Sequence, residues 1–173
     1  MQIYNEIDLN HAQHDAIEQL RNRCFPEHVV PRSYYKQRPH MRALTYEGDR
    51  LVGHMGLDYR VIRVGEHTLN VLGVIDLCID PSVQRQGLGS QMLAQLKDYA
   101  SIRPVDFIIL ISDLYEFYTA NGFRNVAHMS SWLRINEHQN FGVGVDLIDD
   151  LYVQPISGKP WPKGHFDWLG YLF

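Results

Sequence analysis

The chemistry of this chain concentrates between residues 71 and 90. Val71–Ile79 is apolar apart from Gly73 and Asp76, and Asp80-Pro81-Ser82-Val83 interrupts the run. Gln84-Arg85-Gln86-Gly87-Leu88-Gly89-Ser90 follows, and from Leu88 onward Met92, Leu93, Leu96, Tyr99 and Ala100 recur at helical spacing. A strand that enters a helix through a glycine-bearing turn aims unpaired backbone N–H groups, and the positive end of the helix dipole, at one spot. Such a spot binds phosphate or pyrophosphate, and glycines let the ligand approach the backbone closely. The same residues suit an ordinary strand-to-helix connection, so the loop by itself leaves both readings open.

Three better-known patterns fail here. The dinucleotide fingerprint G-x-G-x-x-G needs glycine where Met92 stands, and its acidic residue belongs at the end of the next strand, whereas Asp106 precedes that strand. Neither a Gly-Lys-Ser/Thr Walker loop nor a G-x-S-x-G nucleophile elbow occurs. Hydride transfer, nucleotide hydrolysis and serine-esterase chemistry all lose support. Gln84-Arg85-Gln86-Gly87-Leu88-Gly89 instead resembles the Q/R-x-x-G-x-G/A pyrophosphate loop of the GNAT acyl-CoA N-acyltransferase superfamily. Leu77-Cys78-Ile79-Asp80-Pro81 resembles that family's L-x-V-x-P strand end, and Tyr118-Thr119-Ala120-Asn121-Gly122-Phe123 its Y-x-x-x-G-F. The resemblance spans about residues 41 to 127. Within that superfamily, Arg38-Pro39, Gly53-His54-Met55-Gly56, Val64-Gly65-Glu66 and Trp161-Pro162-Lys163-Gly164 resemble nodulation-type N-acyltransferases. Aminoglycoside 2′-N-acetyltransferases share the layout and a Trp- and Asp-bearing C-terminal stretch. The loop keeps both glycines, as ordinary acetyl-CoA enzymes do.

The resemblance implies an α/β fold of α+β type, with a central mixed, mainly antiparallel sheet flanked by helices. It implies that the amides of Gln86, Gly87, Leu88, Gly89 and Ser90 cradle the coenzyme A pyrophosphate, with Gln84 and Arg85 in the same loop; Arg85 is equally a solvated loop arginine. Backbone groups of Leu77, Cys78 and Ile79 would pair with the pantetheine arm, and one N–H there would face the thioester oxygen. Cys78 suggests an acyl-cysteine intermediate, but a cysteine in an apolar strand reads first as a small core residue. Tyr118 is the expected general acid: a phenol near pKa 10 stays protonated at neutral pH and can protonate a departing thiolate. The competing role is a core aromatic beside Tyr115 and Phe117, and Tyr115 is the fallback acid. Asp76 is the expected base, acting through water with a pKa raised by its apolar strand; a buried carboxylate held by arginine or backbone competes with that role. His54 and His128 are weaker base candidates. Expected partners are acetyl-CoA as acyl donor and a small-molecule amine, with no nucleic acid, membrane or metal. Longer-chain acyl transfer from CoA or an acyl carrier protein to an amino sugar, and a catalytically silent acyl-CoA sensor, are the alternatives.

The elements that must carry these groups follow from periodicity. Ala16, Ile17, Leu20 and Cys24 share one face of a helix over residues 11–24, capped by Asn10. Residues 25–40, with Pro26, Pro31 and Pro39, read as a loop or broken helix. A three-strand meander follows from Met41 to Ile79, turning at Glu47-Gly48-Asp49 and Gly65-Glu66. After the helix that Pro104 ends, Phe107–Ile111 reads as a buried strand and Leu114–Ala120 as a short helix stopped by Asn121-Gly122. Further strands are expected near Arg124–His128, Ser131–Ile135 and Leu151–Pro155. Asp146, Asp149 and Asp150, then Trp161, His165, Asp167, Trp168, Tyr171 and Phe173, suit a cationic amine, or a closing hairpin with solvated acids. His11 and His14 read as surface histidines rather than a metal pair.

Composition sets the bounds. At 173 residues, 45% hydrophobic and 21% charged, the chain suits one domain, residues 1–173, with a core of its own. Its net charge of −4 argues against a nucleic-acid partner, which needs a basic stripe. The absence of a signal-like start and of a disulfide framework, with only Cys24 and Cys78, leads to the expectation of a cytoplasmic protein. The oligomeric state is left open, a homodimer included.

Overall fold

Residues Met1–Phe173 are described by a computed structural model of the chain. Two compact units emerge, one of Met1–Asp58 with Val74–Leu96 and one of Tyr59–Gly73 with Lys97–Phe173.

The first unit begins with β1 (Gln2–Asn5) and α1 (His11–Cys24). Asn10 caps α1 in a reciprocal capping box with Gln13, which satisfies two of the helix's orphan donors. β2 (Met41–Glu47) pairs antiparallel with β1 and with β3 (Arg50–Val64), which leads into β4 (His67–Ile79). The strand order is β1-β2-β3-β4. Ile17 and Leu20 of α1 bury against Leu44, Leu51 and Cys78, so the apolar face expected for that helix packs on the meander. α2 (Leu88–Ser101) lies so close over β3 that a Cβ on Gly53 would stand 2.7 Å from Met92 Sδ.

The second unit is built on β3 from Tyr59 and on β4 as far as Gly73. β4 pairs parallel with β5 (Phe107–Ile111) over Val71, Leu72 and Gly73. α3 (Tyr115–Ala120) follows, then β6 (Arg124–Asn136), β7 (Gln139–Pro155) and β8 (Phe166–Tyr171). The order is β3-β4-β5-β7-β6-β8, and β8 returns to β3 through Arg63–Asp167 and Val64–Phe166. Six strands thus close on themselves around Ile62, Val71, Phe107, Ile109, Val153, Phe166 and Trp168. With β4–β5 and β6–β8 parallel and β1–β2, β2–β3, β5–β7 and β6–β7 antiparallel, the sheet is mixed and mainly antiparallel, flanked by helices, as expected.

The strands after α3 depart from expectation. Two of the three short strands anticipated there are one continuous β6, and the third extends back to Gln139. They meet at Glu137-His138, where both residues adopt positive φ (45° and 60°), the geometry of a two-residue turn whose twist matches its strands. Gly142, Gly144 and Asp146 disguise β7 as loop. Gly144 is there for packing, since a Cβ would stand 2.8 Å from the Trp132 ring. β1 and β8 were not anticipated at all.

Candidate active site

In the middle of β4 the backbone does something a regular strand does not: Asp76 adopts φ +49°. Among non-glycine residues, Asp and Asn enter this left-handed region most readily, so the residue type fits the step. Its side chain and its carbonyl are both held. Arg21 of α1 donates from Nε to Asp76 Oδ2 at 2.7 Å, and the guanidinium itself is buried, with Nη1 donating to His28 O. His54 of β3 takes the carbonyl, with Nδ1 3.2 Å from Asp76 O. The other ring nitrogen, Nε2, accepts from Arg42 Nη1 at 3.1 Å, which assigns the proton of the neutral ring to Nδ1. Arg42 in turn is clamped by Glu6, with Nε–Oε2 at 2.7 Å and Nη2–Oε1 at 3.3 Å, and donates to Ser33 O. His54 is 0% and Arg42 1% exposed. Burial first, then the Arg42 charge, pushes the His54 pKa well below 6.5. A neutral, enclosed imidazole with both nitrogens engaged is a structural clamp, so the weaker base role weighed for His54 finds no support in its surroundings.

Beyond this step, Leu77 and Ile79 are half-exposed and Cys78 is buried. The Ile79 carbonyl accepts from Gln84 Nε2 at 2.9 Å and from Cys24 Sγ at 3.3 Å, tying the loop and α1 to the strand end. Asp80 anchors the turn: Oδ1 accepts from the Ser82 amide and hydroxyl, and Oδ2 pairs with Arg23 at 3.0 Å. The Ser82 hydrogen bonds, helped by Arg23, lower the Asp80 pKa to about 2. The loop then passes through two left-handed residues, Arg85 (φ +60°) and Gly87 (φ +81°), and a Cβ on Gly87 would meet nothing within 4 Å. Gln91 N donates to Gly87 O at 2.9 Å, the first rung of α2. The amides of Leu88, Gly89 and Ser90 therefore precede the helix's hydrogen-bond ladder and lie at the positive end of its dipole. Gln84 to Gly87 are exposed and Leu88 to Ser90 half-buried, so this donor cluster is open to a ligand.

Tyr118 belongs to the second unit. It is 6% exposed, with its ring against Phe117, Phe123 and Tyr152. Burial pushes its phenol up to about 12, partly offset by a hydrogen bond with Ser112. Tyr115, the fallback acid, is exposed. Asn121 and Gly122 close α3 as expected, Gly122 at φ +82°.

In the C-terminal stretch Asp146, Asp149 and Asp150 are exposed on β7. Trp168 and Phe166 are fully buried in the core. Trp161 donates from Nε1 to His128 Nε2 at 2.8 Å, and His128 Nδ1 lies 2.8 Å from Gly164 O, so His128 pins the segment rather than serving as a base. A groove of about 680 Å³ does open beside Trp161, but Arg124, Lys163 and His165 line it and no carboxylate does. That charge repels a cationic amine. His14 spends Nδ1 on Ser33 Oγ.

Asp76, Leu77, Cys78 and Ile79 and the loop from Gln84 to Ser90 thus lie together in the first unit, with Tyr118 in the second. Arg21, Arg42 and Glu6 went unnoticed in the sequence. The one usable signal was Arg21, which falls on the apolar face of α1 beside Ile17 and Leu20.

Residues 7–126 match the profile of the acetyltransferase (GNAT) domain. No curated protein matches the sequence. Among solved structures, the chain is similar to a GNAT family N-acetyltransferase (YhbS) from Escherichia coli in complex with CoA, at 14% identity and a TM-score of 0.62, covering 96% of this chain and 88% of that one. It is also similar to a GNAT family acetyltransferase from Brucella melitensis in complex with acetyl-CoA, at 14% identity and a TM-score of 0.57, covering 95% and 93%. An aminoglycoside 6′-N-acetyltransferase complexed with coenzyme A aligns at 15% identity and a TM-score of 0.56, covering 93% and 100%.

Proposed function

The chain belongs to the GNAT acetyltransferase family, and from that premise we propose that it transfers an acetyl group from acetyl-CoA directly to a primary amine of a small molecule. It is an acyltransferase, and its acyl group comes from coenzyme A. The observation that carries the finer reading is the passage from β4 into α2. Amides ahead of the first helical rung, two left-handed residues and the open space over Gly87 make a cradle for a doubly charged pyrophosphate. Arg85 adds a charge at its rim. The Ile79 carbonyl is taken by Gln84 and Cys24, so the pantetheine contacts fall to Leu77, Cys78 and the Ile79 N–H. An N–H from this stretch facing the thioester oxygen is worth about 3–4 kcal/mol to the transition state.

The reaction breaks the thioester C–S bond and forms an amide C–N bond. The amine lone pair attacks the carbonyl carbon, the amine proton leaves through water to Asp76, and Tyr118 protonates the departing thiolate. The bond from Arg21 suits Asp76 to this work, because it fixes the carboxylate in direction. Both units weave together separated stretches of sequence, which supports reading residues 1–173 as a single catalytic domain. The two free cysteines support a reducing, cytoplasmic setting.

Isothermal titration with acetyl-CoA, followed by thiol release against a panel of primary amines, tests the reading. Gly87→Trp fills the open space and is expected to weaken acetyl-CoA by more than about tenfold, or 1.4 kcal/mol. Undiminished binding in a folded Gly87→Trp variant would show that the loop does not hold the donor. Binding without thiol release against any amine would point to a sensor instead of an enzyme.

A further inference from the structure

The neutral, buried His54 has no evident use in acyl transfer, yet it sits at the end of a chain of charge that starts at Glu6 and ends on a backbone oxygen. We propose that His54 is a positioning residue for the acyl donor. Oriented by Arg42, it holds the Asp76 carbonyl and so fixes the left-handed step from which Leu77 and Cys78 set out. The proposal rests on the reading that this stretch of β4 receives the pantetheine arm.

The geometry argues for it link by link. Glu6 grips Arg42 through two bonds, at 2.7 and 3.3 Å, which leaves Arg42 one orientation. Arg42 Nη1 donates to His54 Nε2 at 3.1 Å, which obliges the ring's proton to sit on Nδ1. Nδ1–H points at Asp76 O, 3.2 Å away. That carbonyl belongs to the residue with φ +49°. A left-handed step is strained for a non-glycine residue and persists only where its surroundings hold it. Arg21 holds the Asp76 side chain, but a side chain bond leaves ψ and the direction of the next peptide less constrained than a bond to the carbonyl itself. His54 supplies that second constraint. Without it, β4 relaxes toward a regular strand, and the peptides that follow Asp76 turn away from the donor.

The two ring nitrogens do different jobs, and that separates this role from mere core support. His54→Gln presents an acceptor near the Nε2 position, so the buried Arg42 keeps a partner, but it loses the donor to Asp76. His54→Asn presents an N–H near the Nδ1 position and keeps the bond to Asp76 at the expense of Arg42. The full-length chain and both variants are titrated with coenzyme A, with thermal unfolding measured alongside. His54→Gln is expected to weaken coenzyme A by about tenfold, the equivalent of the released backbone step, while staying folded. His54→Asn is expected to bind within about threefold of the parent even if it melts lower. Glycine holds a left-handed step at no steric cost. In an Asp76→Gly background His54→Gln should therefore lose little further affinity, a coupling that a double-mutant cycle reads directly. If His54→Gln binds coenzyme A as the parent does while Gly87→Trp fails to bind, the donor site stands and the positioning role falls. The role also falls if His54→Asn loses affinity and His54→Gln keeps it. A parent chain that binds no coenzyme A overturns the donor reading itself.

Discussion

The proposed mechanism asks Tyr118 to give up a proton from a site that makes doing so harder. Its surroundings of Phe117, Phe123 and Tyr152 push the phenol to about 12, well above a thiol's ordinary value near 8.5. Full transfer to a free thiolate is therefore uphill, so in the proposed role the group would share its proton as the C–S bond stretches. The raised value also guarantees the acid form across the working range. Tyr118→Phe is expected to lower turnover by about 100-fold with acetyl-CoA affinity unchanged. In the parent, the alkaline fall in rate due to this group belongs near pH 12, not near 10. A limb centred near 10 that disappears in Tyr118→Phe would show an unburied, ordinary phenol. Stability follows the same sign. The folded value lies above the unfolded one, near 10, so the neutral phenol's contribution is complete below pH 10 and fades between 10 and 12.

Backbone meets backbone closely where β3 turns into β4. Gly65 adopts φ +56°, and a Cβ there would stand 2.6 Å from the Lys163 carbonyl oxygen; Gly164, at φ +122°, would place its own Cβ 2.8 Å from Gly65 Cα. Neither neighbour is a flexible side chain that can swing away. Gly65→Ala is expected to cost about 2–3 kcal/mol in denaturant unfolding, strain and overpacking together. Gly48→Ala shares the positive φ, but its Cβ would meet nothing within 4 Å, so it should cost only the backbone term of about 1–2 kcal/mol. Equal costs would show that the contact across the turn is slack. Gly65 was legible as a turn, because turn chemistry is local; that it also faces Gly164 was not. The same division runs through the molecule. The loop from Gln84 to Ser90, the meander and the three expected helices announce themselves in consecutive residues. Asp76 could be read as a polar residue in an apolar strand, but its partners Arg21 and His54 come from a helix and another strand, and Arg42 and Glu6 lie one link further out. β8 has too short a run to signal itself, and it exists because β3 and β6 leave it a place.

For the whole molecule, a net charge of −4 sits with a site that binds an anionic donor, because fixed dipoles act at contact distance and the net charge is screened beyond roughly 10 Å. The closed run of six strands has another consequence, in the order of events. β6 and β7 are joined by two residues and can pair as soon as both have been made. The bonds between β3 and β8 join opposite halves of the sequence and must wait for everything between. Chevron measurements on Phe166→Leu should give a φ-value near 0, and on Val153→Ala about 0.5 or above; the reverse pattern would mean that closure nucleates folding. With the expected pattern, the seam is both the last part of the protein to form and, by reversibility, the first to part. How long one molecule survives before unfolding is set by β8 and hardly at all by the hairpin that starts the process.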